Sequence, residues 1–195
     1  RTGDLIQMAK VGILALQGAF IEHKKILESL GAECVEIRQK KDLKDLAGIV
    51  LPGGESTVQG QLLHKLDLFT PVQEKILSGL PVLATCAGLI LLAQSIEGSS
   101  EKHLGTLPVT VRRNAYGRQL GSFAGAYPMK GYGQFPMVFI RAPYIAETSP
   151  QVDVLASVDD HPVAVRYENQ IGLSFHPELS PDTRIHETFL QLCKG

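Results

Sequence analysis

Val11-Gly12-Ile13-Leu14-Ala15-Leu16 is a continuous apolar run that ends at Gln17-Gly18. Beyond it, Ile21, Ile26, Leu27 and Leu30 fall on one helical face until Gly31 stops the pattern, so a strand, a turn and a helix are expected in that order. Cys34 to Ile37 reads as a second short strand, Asp42 to Leu46 as a helical turn, and Gly48 to Leu51 as a third strand that breaks at Pro52-Gly53-Gly54. Ser56 or Thr57 is placed to cap a helix reaching about Leu66, and Pro71 to open another that reaches Ser78. Pro81 to Ala84 is short and apolar, as a strand covered on both faces must be, while Ala87 to Ile96 is long enough for a helix. Strands alternating with helices in this way predict an α/β fold, with a mostly parallel central sheet flanked by helices and active loops at the carboxyl ends of its strands.

The second half has a different texture. Ser95 to His103 is polar, and from Val109 onward short β-like runs are separated by Gly and Pro: Val109 to Arg112, Met137 to Arg141, Val152 to Val158 and Pro162 to Tyr167. Asp159-Asp160-His161 between the last two reads as a hairpin turn. The glycine-rich stretch from Gly117 to Gly133 is expected to be a long loop that orders around a ligand or partner. Ile171 to Ser174 is one more strand, followed by Phe175-His176-Pro177-Glu178, and Ser180-Pro181 is placed to cap a closing helix to about Leu192.

Composition narrows the function classes. The 195 residues are 44% hydrophobic and 20% charged, with a formal net charge of -1, which argues against nucleic acid or a membrane surface as a partner. Three cysteines without a CxxC pair suggest neither a disulfide framework nor a zinc cluster, so a reducing, cytoplasmic setting is expected and no metal is implied. Arg1 to Gln7 precedes Met8 and reads as a cloning remnant, which leaves residues 8–195 as a single domain.

Cys86 is the first candidate for chemistry. A thiol at a sharp strand-to-helix corner is pushed out at the sheet's carboxyl edge, as the serine is in a nucleophile elbow, and helix N-terminal N–H groups beside it suit an oxyanion. A cysteine nucleophile needs a base and an orienting group. His176 and Glu178 fit these roles, since residues i and i+2 of an extended segment point the same way. His23, His64, His103, His161 and His186 lie in helical or polar contexts and take a structural reading. Gly53-Gly54 at another strand end allows close backbone approach to an anionic group, and either Arg112 or Arg113 could bind a carboxylate bidentately.

Taken together, Leu16-Gln17-Gly18-Ala19, Leu51 to Thr57, Thr85-Cys86-Ala87-Gly88-Leu89, Val111 to Gln119, Ile140-Arg141-Ala142-Pro143 and Phe175 to Glu178 resemble the class I glutamine amidotransferases. Among these the chain is most similar to the glutaminase subunits of pyridoxal 5'-phosphate synthases. The resemblance implies a flavodoxin-like sheet and a catalytic triad of Cys86, His176 and Glu178 that hydrolyses L-glutamine to glutamate and ammonia through a cysteine thioester. It also implies a glutamine site of Gly53, Gly54, Glu55, Arg113, Ile140 and Arg141, and an oxyanion hole from the N–H groups of Ala87 and Gly54. It further implies no cofactor on this chain, and a partner synthase subunit with a (β/α)₈ barrel that receives the ammonia. In such a complex the Gln17-Gly18 region faces the partner, and the glutaminase is weak until docked. Ala84 departs from the G-x-C-x-G pattern, and Leu120 to Ala126 lacks acidic residues expected near its serine and phenylalanine. Two other classes compete: a silent regulatory subunit, which partner-dependent ammonia release would dismiss, and a stand-alone cysteine hydrolase, which peptide cleavage without glutamine hydrolysis would favour.

Overall fold

The computed structural model describes residues 8–113 and 122–195. The predicted alternation appears in the first half as β1 (Lys10–Leu14), α1 (Ile21–Ser29), β2 (Glu33–Ile37), β3 (Gly48–Leu51), α2 (Ser56–Lys65), α3 (Phe69–Leu77), β4 (Val82–Thr85) and α4 (Ala87–Leu92). The second half adds β5 (Ala93–Ile96), β6 (Leu107–Arg112), β7 (Ser122–Met129), β8 (Gly133–Ile140), β9 (Tyr144–Thr148), β10 (Asp153–Val158), β11 (His161–Tyr167), β12 (Gln170–Leu173) and α5 (Arg184–Cys193).

The central sheet has the order β10-β11-β12-β4-β3-β1-β2. The run from β12 to β2 is parallel throughout, and β10 and β11 add an antiparallel edge. Both faces are covered because the strands are apolar at successive positions, and side chains alternate across a sheet. Ile49, Leu51, Val82 and Ala84 point into a core shared with Leu63, Val72 and Leu89. Val50, Leu83, Ile171 and Leu173 point into the opposite core with Leu27, Phe135, Phe175 and Phe189. Full burial of each Val, Leu, Ile or Phe side chain contributes about 1.5–3 kcal/mol, so the two cores hold the strand ends rigidly. β3, β4 and β12, which are neighbours, deliver their carboxyl ends to one edge of the sheet.

Several expectations are corrected. Helix α4 stops at Leu92 rather than continuing to Ile96. Ala93–Ile96 instead pairs with β6, where Ser95 Oγ and Thr110 Oγ1 lie 2.7 Å apart. One more helical turn would have placed Gln94 and Ser95 on a helix whose six residues are all buried, whereas in the strand Gln94 faces outward. Within the stretch expected to be a loop, Ser122–Met129 is a strand paired antiparallel with β8. Gly125 and Pro128 hide a period-two pattern in which Phe123 stacks on Phe139 at 4.5 Å and Tyr127 meets the same ring edge-on. The part of that stretch from Gly117 to Gly121, the motif residues from Asn114 to Gln119, and residues 1–7 lie outside the described residues.

Helix α1 buries Leu27 and packs Leu30 on the core as expected, but Ile21 is exposed and His23 is buried in its place. The N-cap of α2 is Glu55, so neither Ser56 nor Thr57 caps it. The closing helix begins at Arg184, after a turn in which Ser180 Oγ accepts from the Asp182 N–H and Asp182 Oδ1 accepts from the Arg184 N–H. The Asp159-Asp160 hairpin is present, with φ of 52° and 64° at its two turn residues, the handedness a two-residue hairpin favours.

Candidate active site

Strand β4 is fully buried, and the next residue, Cys86, has φ 52° and ψ -106° before α4 begins. A positive φ at a residue with a side chain is strained, and here packing on both sides of the turn enforces it. Gly88, two residues on, lets α4 lie against β3: a Cβ there would fall 1.9 Å from the Leu51 carbonyl oxygen. Ala84 causes no such conflict. It sits within the strand, opposite Leu51 and Gly172. The Cys86 side chain is 8% exposed and its Sγ lies 3.9 Å from the Ile140 carbonyl oxygen.

Strand β12 delivers His176 beside this corner, and the His176 N–H donates to the Val138 carbonyl at 2.8 Å. His176 Nδ1 is 2.7 Å from Glu178 Oε2. The route to that contact differs from the expected extended segment, because Pro177–Leu179 forms a 3₁₀ turn that folds Glu178 back under the ring. Burial pushes the His176 pKa down, but hydrogen bonds with Cys86 and Glu178, reinforced by their charges, outweigh it and raise the group to about 10. For Glu178 burial pushes upward, and the hydrogen bond from His176 prevails and holds the carboxyl below its ordinary range. A buried ring that stays protonated beside the sulfur and a buried acid that stays ionised make a pair suited to holding the proton of Sγ and delivering it to a leaving group. Cys34 and Cys193 are different: burial pushes them up to about 11 and about 12, so neither is a thiolate at neutral pH.

The cleft over Cys86 has a volume of about 370 Å³ and brings together Gly54, Glu55, Cys86, Ala87, Arg113, Ile140, Arg141, His176 and Glu178. Gly53 does not line it. Gly53 instead packs against His176, where a Cβ would come 2.5 Å from ring Cε1. The turn after β1 braces this glycine loop: Gln17 Oε1 accepts from the Glu55 N–H at 2.6 Å, and the Ala19 N–H donates to the Gly53 carbonyl at 3.3 Å. Of the two arginines, Arg113 reaches the cleft, while Arg112 points away toward Glu97 and Tyr144.

Sequence reasoning missed how Arg113 is held. Its Nη2 donates to Glu101 Oε2 at 2.7 Å and to Ser56 Oγ at 2.9 Å, and Nη1 donates to Glu101 Oε1 at 3.2 Å. The Arg113 hydrogen bond holds the Glu101 carboxyl down at about 2, against the opposing push of burial. This pair therefore stabilises the fold above about pH 4.5, and the contribution is lost as pH falls toward 2. His103 Nε2 lies 2.7 Å from the same carboxylate. His23 and His186, which take a structural reading from sequence, are both fully buried behind Glu178. Their signal was present in helical spacing, since His23 precedes Leu27 by four and His186 precedes Phe189 by three on buried faces.

A thiol at a strand-to-helix corner, an imidazole and carboxylate on the adjoining strand end, and Gly54 across the cleft form a site of the class I amidotransferase type. The comparisons agree. The model of the SNO glutamine amidotransferase family matches residues 13–195. A pyridoxal 5'-phosphate synthase subunit PdxT of Desulfitobacterium hafniense is 59% identical over 187 residues, covering 95% of this chain and 94% of that protein. One from Streptococcus pneumoniae is 52% identical over 189 residues, covering 95% and 97%. A crystal structure of a glutamine amidotransferase superposes with a TM-score of 0.90 at 43% identity, covering 95% of this chain and 99% of that one. The chain belongs to the SNO glutamine amidotransferase family.

Proposed function

We propose that this chain is the glutaminase subunit of a pyridoxal 5'-phosphate synthase, and that it hydrolyses L-glutamine at Cys86 and passes the ammonia to a synthase subunit with a (β/α)₈ barrel. The observation that carries this reading is the Cys86 corner facing the His176–Glu178 pair in a cleft with Arg113 on its wall. Cys86 Sγ attacks the side-chain amide carbon of glutamine, and its proton resides on His176. The amide oxygen, now negative, is stabilised by the N–H groups of Ala87 and Gly54. His176 then protonates the amide nitrogen, the C–N bond breaks, ammonia leaves, and a thioester remains on Cys86. Water, deprotonated by His176, attacks the thioester carbon, and glutamate departs as the thiol is restored. Glu178 keeps His176 in the tautomer that presents Nε2 to sulfur. Gly54, Glu55, Ile140 and Arg141 shape the substrate site, Gly53 packs behind His176, and Arg113 pairs with the glutamine α-carboxylate. The bracing of the glycine loop by Gln17 supports activation by a partner seated against that turn.

The test is ammonia release from glutamine, measured with and without a synthase subunit. Hydrolysis that rises on mixing supports the reading, and peptide cleavage without glutamine hydrolysis overturns it. Two further outcomes follow from the geometry. Glu101→Gln is expected to raise KM for glutamine about tenfold while changing kcat less, because Arg113 loses the charged partner that aims it; an unchanged KM in steady-state assays would separate Arg113 from substrate binding. The alkaline limb of kcat/KM is expected well above pH 6.5, since His176 is protonated below its raised pKa and loses its proton only as pH approaches about 10. A limb near 6.5 in a pH-rate profile would mean that the histidine is not paired.

A further inference from the structure

Behind the triad lies a layer of buried polar groups that this hydrolysis does not use. His23, from α1, and His186, from α5, are both fully buried, and His23 Nδ1 is 2.9 Å from His186 Nε2. The other side of the His23 ring faces the site. Its Nε2 is 3.4 Å from Glu178 Oε1 and 3.4 Å from Thr85 Oγ1, at the end of β4. Glu178 therefore presents Oε2 to His176 and Oε1 to His23. Oε1 is buried and makes no hydrogen bond, and His23 Nε2 is the polar group that faces it at ion-pair distance.

The protons on this row can be assigned by elimination. His186 Nδ1 is buried without a hydrogen-bond partner, and an N–H there costs more than an idle lone pair, so His186 carries its proton on Nε2. His23 Nδ1 is then the acceptor, and His23 carries its own proton on Nε2, facing Thr85 Oγ1 and Glu178 Oε1. A second proton on His186 would bury an unpartnered charged N–H at Nδ1, which costs far more than an idle lone pair. Burial accordingly pushes His23 below its ordinary pKa and His186 to about 3. The charged groups near the row are Glu178 and His176 from the site and Glu22 on α1, and none of them offers His186 Nδ1 a partner.

We propose that His23 and His186 are positioning residues for the triad: His186 Nε2–H sets the tautomer of His23, and His23 Nε2–H holds Glu178 Oε1 so that Oε2 stays on His176 while the imidazolium forms. The inference rests on reading Cys86, His176 and Glu178 as the triad. Its consequence is that the first and last helices, joined directly at a contact 163 positions apart, are coupled to the orienting carboxylate through His23. Neither residue touches substrate. Their effect belongs in kcat, through the stability of the His176 cation, and not in KM.

The experiment compares full-length His186→Leu and His186→Gln with the unmodified chain, each with a synthase subunit and with Cys86→Ala as the blank. Glutamine carries an amide N–H near the position of His186 Nε2, whereas leucine carries none. His186→Leu is expected to lower kcat about tenfold with KM within about twofold, and His186→Gln to recover most of that loss. Equal kcat in His186→Leu and the unmodified chain, or equal impairment of both variants, overturns the proposal. A second measurement does not depend on variant folding: ¹⁵N NMR of the unmodified chain should show both rings neutral with the proton on Nε2 from pH 6 to 8. A proton on His23 Nδ1, or a cation at either ring, overturns it. If the unmodified chain releases no more ammonia than the Cys86→Ala blank, the glutaminase reading fails, while the NMR result still decides the proton arrangement.

Discussion

Cys86→Ala is expected to reduce glutamine hydrolysis by at least about a thousandfold while leaving the fold unchanged. The expected loss is this large because the sulfur forms the covalent bond, and no other group in the cleft can substitute for it. The remaining thiols cannot rescue the reaction, since Cys34 and Cys193 do not line the cleft and burial keeps them protonated. The fold should survive because, apart from its pairing with His176, Sγ makes a long contact to the Ile140 carbonyl, and alanine tolerates the φ of 52° as well as cysteine does. Glutamate and ammonia release with a synthase subunit present, alongside the thermal midpoint, measures both effects. An electrophilic glutamine analogue should label Cys86 in the unmodified chain and leave the variant unlabelled. Hydrolysis retained by the alanine variant would remove Cys86 from the mechanism.

Gly88→Ala should be a severely damaging single-methyl change beside Cys86. In an ordinary helix, alanine is favoured over glycine by about 1 kcal/mol. Here the sign reverses, because the new Cβ would stand 1.9 Å from the Leu51 carbonyl oxygen and 2.9 Å from the Leu51 Cβ. Backbone cannot yield as a flexible side chain can, so α4 has to move away from β3 and carry the Cys86 corner with it. A loss of about 3 kcal/mol is expected, with glutaminase activity falling in the fraction that still folds. Urea denaturation with a fixed slope would read the stability term. A midpoint equal to that of the unmodified chain would show that the corner accommodates the methyl group, and that the close packing of α4 on β3 is not what sets the elbow.

Much of the site could be read along the chain because its parts are local. The corner at Cys86 follows from a buried run meeting a helix, and the glycine loop follows from β3 ending at Pro52. Position in sequence also placed His176 at the end of a buried strand. The 3₁₀ turn at Pro177–Leu179 escaped that reading, because a proline after His176 is compatible with extended chain or with a turn, and only the contact between Glu178 and the ring selects one. Strand β7 escaped for a related reason: Phe123 and Tyr127 declare a face only when Phe139 is opposite them.

By itself the sequence determined the elements of the parallel half, the corner that presents the thiol, and the likeness to glutamine amidotransferases. These depend on periodicity, turn chemistry and motif, which act between near neighbours. The tertiary structure decided which polar groups are partners. Arg113 is held by Glu101, and Glu178 is flanked by His176 on one oxygen and His23 on the other. A buried polar group must find its partner wherever the fold brings one, and for His23 that partner lies at the opposite end of the chain, on a helix whose sequence gives no sign of the pairing.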